Sequence, residues 1–176
     1  RGYKELAGKG ESFEICFVPD NDYRGFLKRR VEGLEERVNG GNFIDPQGNV
    51  LGQHKGYPFY TIGQRKGLEL AFGDPRYVTK INAKTNEVTL GVKEDLNKKE
   101  VFVRDPNIMK YKSIEGEMDA TSKIRYKDKG TNSIISPLPD GRIKIEFFDN
   151  VQGVAPGQSA VFYEGNDLIG GGFIDN

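Results

Sequence analysis

The sequence has very little cysteine and histidine, and each shortage excludes a kind of site. Cys16 is the single cysteine among 176 residues, and there is one histidine. A lone cysteine cannot form an internal disulfide or a cysteine-rich metal site. With only one histidine in addition, the chain has too few ligands for a structural zinc. We therefore expect no metal site. The same cysteine usage fits a reducing compartment, so we expect a cytoplasmic protein.

Long apolar stretches and an excess of one charge are also absent. No run of apolar residues reaches the ~18 that a membrane-spanning helix needs, and no signal peptide opens the sequence, so we expect no membrane partner. Lys and Arg total 26, and Asp and Glu also total 26. This balance argues against a protein that coats nucleic acid without selectivity, although it permits a local basic patch.

What the sequence does contain is a segment rich in glycine, cations and aromatic residues. Residues 48–68 read GNVLGQHKGYPFYTIGQRKGL and include no acid. Glycine lets a backbone approach a ligand closely, Lys and Arg contact phosphates, and aromatic faces stack on bases. The segment is therefore a candidate RNA-binding loop. Composition alone favours a simpler alternative, a glycine-rich turn with aromatic side chains in a core and solvated cations.

Near the start of the chain, the hydrophobic pattern predicts one buried strand and one short helix. The strand is the apolar run from Phe13 to Val18, which Pro19 ends. The helix covers residues 23–31, where apolar side chains recur at helical spacing after a cap at Asp20 or Asn21.

From residue 42 onward the pattern is that of β-strands separated by turns. Two hairpins come first, turning at residues 45–48 and 82–86. Further strands are expected at residues 101–103, 115–126, 132–136, 142–148, 159–163 and 168–174. We place a domain boundary near Pro106. The prediction is thus a mainly β protein, with a small central β-rich domain containing one short helix at residues 20–106 and an antiparallel β-barrel at residues 107–176.

Three segments resemble, in the same order, the bacterial tRNA-specific 2-thiouridylases (the MnmA or TrmU family). Residues 15–27 read ICFVPDNDYRGFL, residues 54–68 read HKGYPFYTIGQRKGL after the hairpin NFIDPQGNVLGQ, and residues 155–174 read APGQSAVFYEGNDLIGGGFI. The similarity runs over essentially the whole chain. It implies a tRNA-modifying enzyme whose C-terminal barrel resembles the second domain of elongation factors.

The resemblance also implies a role for Cys16 as the carrier of a persulfide. In this family ATP activates C2 of the wobble uridine by adenylation, and the persulfide sulfur then attacks that carbon. Residues 1–19 would be the end of an ATP-binding catalytic domain, and a sulfur-relay protein would supply the sulfur. Judged by its neighbours Ile15 and Phe17 alone, Cys16 is more typical of a small buried hydrophobic residue.

The activating part of that enzyme is not in this sequence. The chain contains no SGGxDS-type pyrophosphate loop and no second cysteine, and it does not begin with Met. We therefore expect it to be part of a longer protein, to lack the ATP site and to be inactive by itself.

The resemblance further implies that the central domain and the barrel contact the anticodon arm of tRNA. The candidate contacts are Lys55, Gln64, Arg65, Lys66, Arg125, Tyr126 and Gln158. Arginine suits a phosphate, tyrosine a base or ribose face, and glutamine a base edge or 2′-hydroxyl. The alternative for Arg125 and Tyr126 is that they are successive residues of an ordinary strand, one side chain pointing outward and the other inward. The alternative for Gln158 is an ordinary turn residue.

Two alternative functions compete with this one. One is a stand-alone RNA-binding or translation-associated barrel in which Cys16 is only structural; a gene that extends upstream of Arg1 by an ATP-binding domain would exclude it. A methyltransferase would follow from an older family name, tRNA (5-methylaminomethyl-2-thiouridylate)-methyltransferase. The sequence shows no strand followed by a glycine loop that would hold a methyl donor, so nothing supports that activity.

Overall fold

Ten strands in two separate sheets dominate the structure, a computed structural model that describes residues 18, 22–125 and 128–175. Strands β1 to β4 form an open four-stranded sheet, and strands β5 to β10 close into a barrel. The predicted fold class, mainly β with a small central domain and an antiparallel barrel, is confirmed. None of the helices in the described ranges is long and apolar enough to cross a membrane.

Within residues 22–40, two short helices precede the open sheet, where the sequence predicts one. Helix α1 is Tyr23–Arg30 and helix α2 is Leu34–Val38. The Asp22 side chain caps α1, because its Oδ1 accepts a hydrogen bond from the Gly25 N–H at 2.8 Å. Gly33, at φ +65°, supplies the left-handed backbone that separates the two helices.

The open sheet has the strand order β2-β1-β4-β3. Its strands are β1 (Gly41–Ile44), β2 (Val50–His54), β3 (Tyr77–Asn82) and β4 (Glu87–Gly91). The β1–β2 and β3–β4 pairs are the two antiparallel hairpins that the sequence predicts, and β1 runs parallel to β4. In the first turn, Asp45 Oδ1 accepts from the N–H groups of Gln47 and Asn49 at 2.9 and 2.8 Å.

The barrel has the closed order β10-β5-β8-β7-β6-β9, and every pair in it is antiparallel. Its strands are β5 (Lys98–Ile108), β6 (Met118–Lys123), β7 (Thr131–Pro137), β8 (Ile143–Val151), β9 (Ser159–Glu164) and β10 (Asp167–Ile174). Its interior is a separate hydrophobic core, in which Ile135, Ile145, Phe162 and Ile169 are almost fully buried.

Strand β5 passes through the position where the sequence predicts a domain boundary. The barrel sheet begins at Lys98, and Asp105 and Pro106 together lie opposite the single residue Gly172 of β10. This is a β-bulge, with Asp105 at φ +50°. A side chain on Gly172 would have its Cβ 2.6 Å from the Arg104 carbonyl oxygen, so glycine is required there.

Candidate RNA-binding surfaces

The β2–β3 loop, residues 55–76, connects the two outer strands of the open sheet and contains most of the predicted contact residues. Phe59, Tyr60 and Leu68 are buried in the same core cluster as Phe43 and other sheet residues. The loop is therefore packed onto the sheet, and its basic residues project from a fixed backbone.

His54, the last residue of β2, and Gly56 in the loop fix the path of the chain where the loop begins. His54 is 5% exposed, and its Nδ1 accepts a hydrogen bond from the Gly56 N–H at 3.0 Å. Its ring makes edge contacts with Phe43 at 5.1 Å and lies 5.4 Å from Tyr60. Burial lowers the pKa of the His54 imidazole, so the side chain is neutral near pH 7. His54 thus supports the loop from inside and does not offer a cation to solvent.

Gln64, a predicted RNA contact, is engaged within the loop itself. Its Oε1 accepts from the Thr61 N–H at 3.1 Å, and its Nε2 donates to the Lys66 carbonyl at 2.9 Å. The Gln64 carbonyl also accepts from the Val78 N–H at 2.9 Å, which joins the loop to β3. The amide therefore shapes the tip of the loop on which Arg65 and Lys66 lie.

Arg65 and Lys66 are both exposed at this tip. Neither makes an ion pair with any residue in the described ranges. Two adjacent cations held by an ordered backbone, without acids to neutralise them, can contact phosphate groups directly.

Lys55, at the other end of the loop, has a carboxylate partner. Its Nζ lies 3.0 and 2.9 Å from the two oxygens of Glu69, and Arg24 Nη1 lies 3.7 Å from the same carboxylate. The Lys55 hydrogen bond is the largest cause of the lowered pKa of Glu69. A phosphate would have to compete with Glu69 for Lys55, so this residue is a weaker candidate than Arg65 or Lys66.

In the barrel, Arg125 and Gln158 lie at the same end. Strands β6 and β9 pair Thr121 with Tyr163 and Lys123 with Val161, so the chain beyond Lys123 runs toward the start of β9. Arg125 is exposed, and its Nη1 lies 3.2 Å from where a Cβ on Gly153 would be. Gln158 is also exposed, in the segment that follows Gly153. The two described residues among the three predicted barrel contacts thus lie on the same rim.

Two family models match the chain, one over the open sheet and one over the barrel. A family model described as tRNA methyl transferase PRC-barrel domain matches residues 24–92, and one described as Aminomethyltransferase beta-barrel domain matches residues 98–174. A tRNA-specific 2-thiouridylase MnmA of Cytophaga hutchinsonii is 53% identical over 99% of the chain and 47% of its own length. The homologues of the same name from Amoebophilus asiaticus and Salinibacter ruber are 53% and 47% identical over 99% and 98% of the chain.

The chain belongs to the MnmA family. It spans about half the length of the curated relatives that it matches. The resemblance stated from the three sequence segments is therefore confirmed for the family.

Two predicted site residues of this MnmA-family chain, Cys16 and Tyr126, lie outside the described residues. The structure consequently places neither the thiol nor the tyrosine ring relative to the loop or the barrel rim. Among the residues that it does describe, no group of three or more His, Cys, Asp or Glu side chains could hold a metal ion.

Sequence reasoning missed three residues of this half of the chain. The guanidinium of Arg24 lies 5.8 Å from the ring centroids of both Phe59 and Tyr60, and that of Arg76 lies 6.0 Å from the ring centroid of Phe72. Phe72 and Arg76 follow the acid-free segment in the sequence. Extending the search for alternating cations and aromatic residues to the end of the loop would have included both.

Proposed function

We propose that this chain is the tRNA-binding part of an enzyme that replaces the C2 oxygen of the wobble uridine with sulfur. The observation that carries the proposal is the pair of exposed, unneutralised cations Arg65 and Lys66 on a loop that is packed onto the sheet. Arg125 and Gln158 offer a second set of contacts on the barrel rim. In this proposal both sets bind the anticodon arm, and the wobble base leaves its stack for a pocket in the catalytic domain.

The names of the relatives support the choice of reaction, since they are tRNA-specific 2-thiouridylases. Cys16 is the proposed persulfide carrier. Its outer sulfur would attack C2 of the activated uridine, the C2–O bond would break with AMP as the leaving group, and a second cysteine would release the thiolated base by forming a disulfide with Cys16. A thiol reductant would then reduce this disulfide, and a sulfur-relay protein would transfer the outer sulfur of its own persulfide to the freed Cys16 thiolate.

In this proposal the ATP site lies in the catalytic domain, outside this chain. The sequence has no SGGxDS-type loop. We therefore expect the chain by itself to form no 2-thiouridine in tRNA when ATP and a sulfur donor are added. Detection of the thiolated nucleoside after digestion of the tRNA would contradict this division of roles.

Salt-dependent binding tests the proposal. An anticodon stem-loop RNA is titrated with the wild-type chain and with the Arg65→Ala, Lys66→Ala double variant at several salt concentrations. Each lost phosphate contact should lower the slope of log K against log salt by about 0.7 to 0.9 and weaken binding. The matched control is Lys80→Ala, Lys84→Ala, which removes two exposed cations of the β3–β4 hairpin. If the folded loop variant binds as the control does, the loop does not bind RNA.

A further inference from the structure

The second half of the β2–β3 loop folds around an open depression in the surface. Its lining comes entirely from the segment between Arg65 and Arg76. Leu70 and Phe72 provide apolar walls, and both are only half-buried, so part of each side chain faces the depression. Gly73 leaves one side open, since nothing lies within 4 Å of where its Cβ would be.

Arg76 is the unusual side chain of this depression. Its Nε is buried and has no hydrogen-bond partner among the described residues, and the guanidinium makes no ion pair with any of them. The guanidinium lies against the ring of Phe72, 6.0 Å from the centroid. Because Nε is buried, a ligand in the depression would meet the terminal Nη groups of the guanidinium. No acceptor among the described residues occupies these groups, so they are free to donate to an oxygen of a ligand.

The charges around the depression limit what it can hold. Arg65 and Arg76 are its cations, and Asp74 and Glu69 its acids. Glu69 is occupied by Lys55 at 2.9 Å, which leaves Asp74 as the uncompensated acid. Two guanidinium groups and one carboxylate suit a single phosphate better than several consecutive phosphates. A second phosphate would approach Asp74, and the two negative charges would repel each other.

We propose that this depression binds one unpaired nucleotide of RNA, with its phosphate at Arg65 and Arg76 and its base against Phe72. The inference rests on the proposed function and adds a specific subsite to it. An aromatic ring with a guanidinium 6.0 Å from its centroid provides both the stacking face and the phosphate contact that single-stranded RNA uses. Arg76 and Phe72 are thereby assigned as contacts for a looped-out nucleotide of the bound tRNA.

Two variants test the subsite. Phe72→Leu keeps an apolar side chain but removes the stacking face, and should weaken binding of the anticodon stem-loop by about 5- to 150-fold with an unchanged salt slope. Arg76→Gln should weaken binding and lower the slope by about 0.7 to 0.9. Lys80→Gln, an exposed cation on the adjacent strand β3, is the matched control and should bind as wild type.

A measurement on the unmodified chain complements the variants in case Arg76→Gln does not fold. Uridine 5′-monophosphate is titrated while backbone amide shifts are followed by NMR, and we expect saturable shifts concentrated in residues 65–76. If both folded variants bind like Lys80→Gln and no such shifts occur, while the Arg65→Ala, Lys66→Ala variant is weakened, the subsite is refuted and the proposed function stands. If that double variant also binds normally, both are refuted.

Discussion

The backbone N–H of Gly56 donates a hydrogen bond to Nδ1 of His54 across 3.0 Å. Because Nδ1 is the acceptor, the neutral imidazole must carry its proton on Nε2. Protonation of Nδ1 would destroy this hydrogen bond and place a charge in the core beneath the β2–β3 loop. The bond therefore links the titration of one side chain to the stability of the loop that presents Arg65 and Lys66.

We predict that the chain loses stability as the pH falls below about 6.5. Burial lowers the pKa of His54 in the folded state below its ordinary value of 6.5. Between the folded-state pKa and the unfolded-state pKa of His54, the unfolded chain binds more protons than the folded chain. The free energy of unfolding therefore decreases as the pH drops through that window. One proton contributes at most about 1.4 kcal/mol per pH unit. Urea unfolding from pH 7.5 to 5 measures the slope.

His54→Asn is the control for this pH dependence. The amide oxygen of the introduced asparagine would lie where Nδ1 of His54 lies and can accept from Gly56, but the amide does not titrate. Carboxylates contribute equally to both proteins, so the difference between their two stability curves isolates the histidine. Parallel curves between pH 7.5 and 5 would contradict the assignment.

Gly56→Ala should destabilise the chain more than Gly63→Ala does. Both glycines have positive φ, +130° and +85°, so alanine is strained at either position. At Gly56 the new Cβ would also lie 2.4 Å from Cγ2 of Val38, whereas nothing lies within 4 Å at Gly63. We expect losses of about 1–2 kcal/mol at Gly63 and about 2–5 kcal/mol at Gly56 from strain plus overpacking. Chemical unfolding measures both, and equal losses would contradict the predicted clash.

On the barrel rim, Arg125→Ala and Gln158→Ala should weaken RNA binding in distinguishable ways. The arginine variant loses a charge and should lower the salt slope by about 0.7 to 0.9, while the glutamine variant should lose affinity at an unchanged slope. Tyr126→Ala is expected to behave like Gln158→Ala, because tyrosine is uncharged. Binding isotherms of the stem-loop at several salt concentrations separate these outcomes. A lowered slope for Gln158→Ala would show that the rim has rearranged.

Cys16→Ser in the full-length enzyme should abolish sulfur transfer and leave tRNA affinity nearly unchanged. The substitution removes the sulfur that forms a persulfide, yet it alters neither charge nor much volume. Thiolated nucleoside per turnover and filter binding of tRNA are measured on the same preparation. Near-normal turnover would make Cys16 a structural residue and would place the nucleophile elsewhere.

The strands were largely predictable from sequence because alternation and turn residues are local signals. Asp45 and Gly48 lie in the turn predicted at residues 45–48, and the Gly48 N–H donates to the Asp45 carbonyl at 3.0 Å. The structure at Asp105-Pro106-Asn107 was harder to predict from the sequence. It has the composition of a turn, but its role as a bulge depends on Gly172, whose position opposite it is set by the pairing of distant strands.

The candidate site shows the same limit of local sequence signals. Arg65 and Lys66 are exposed, which both the contact loop and the alternative of a turn with solvated cations predict. The sequence could not show that the Gln64 amide bonds within the loop, or that Lys55 faces Glu69, because both depend on how the loop folds back. The RNA contacts themselves stay predictions until binding is measured.

The β2–β3 loop leaves one outer strand of the open sheet and returns to the opposite one. Those strands are three spacings apart, about 14 Å, which five or so extended residues could span. The loop is much longer because it also supplies Phe59, Tyr60 and Leu68 to the core. It therefore serves as the second layer of its own domain. The chain entropy of this surface is lost when the domain folds, and RNA that binds there encounters a surface already ordered.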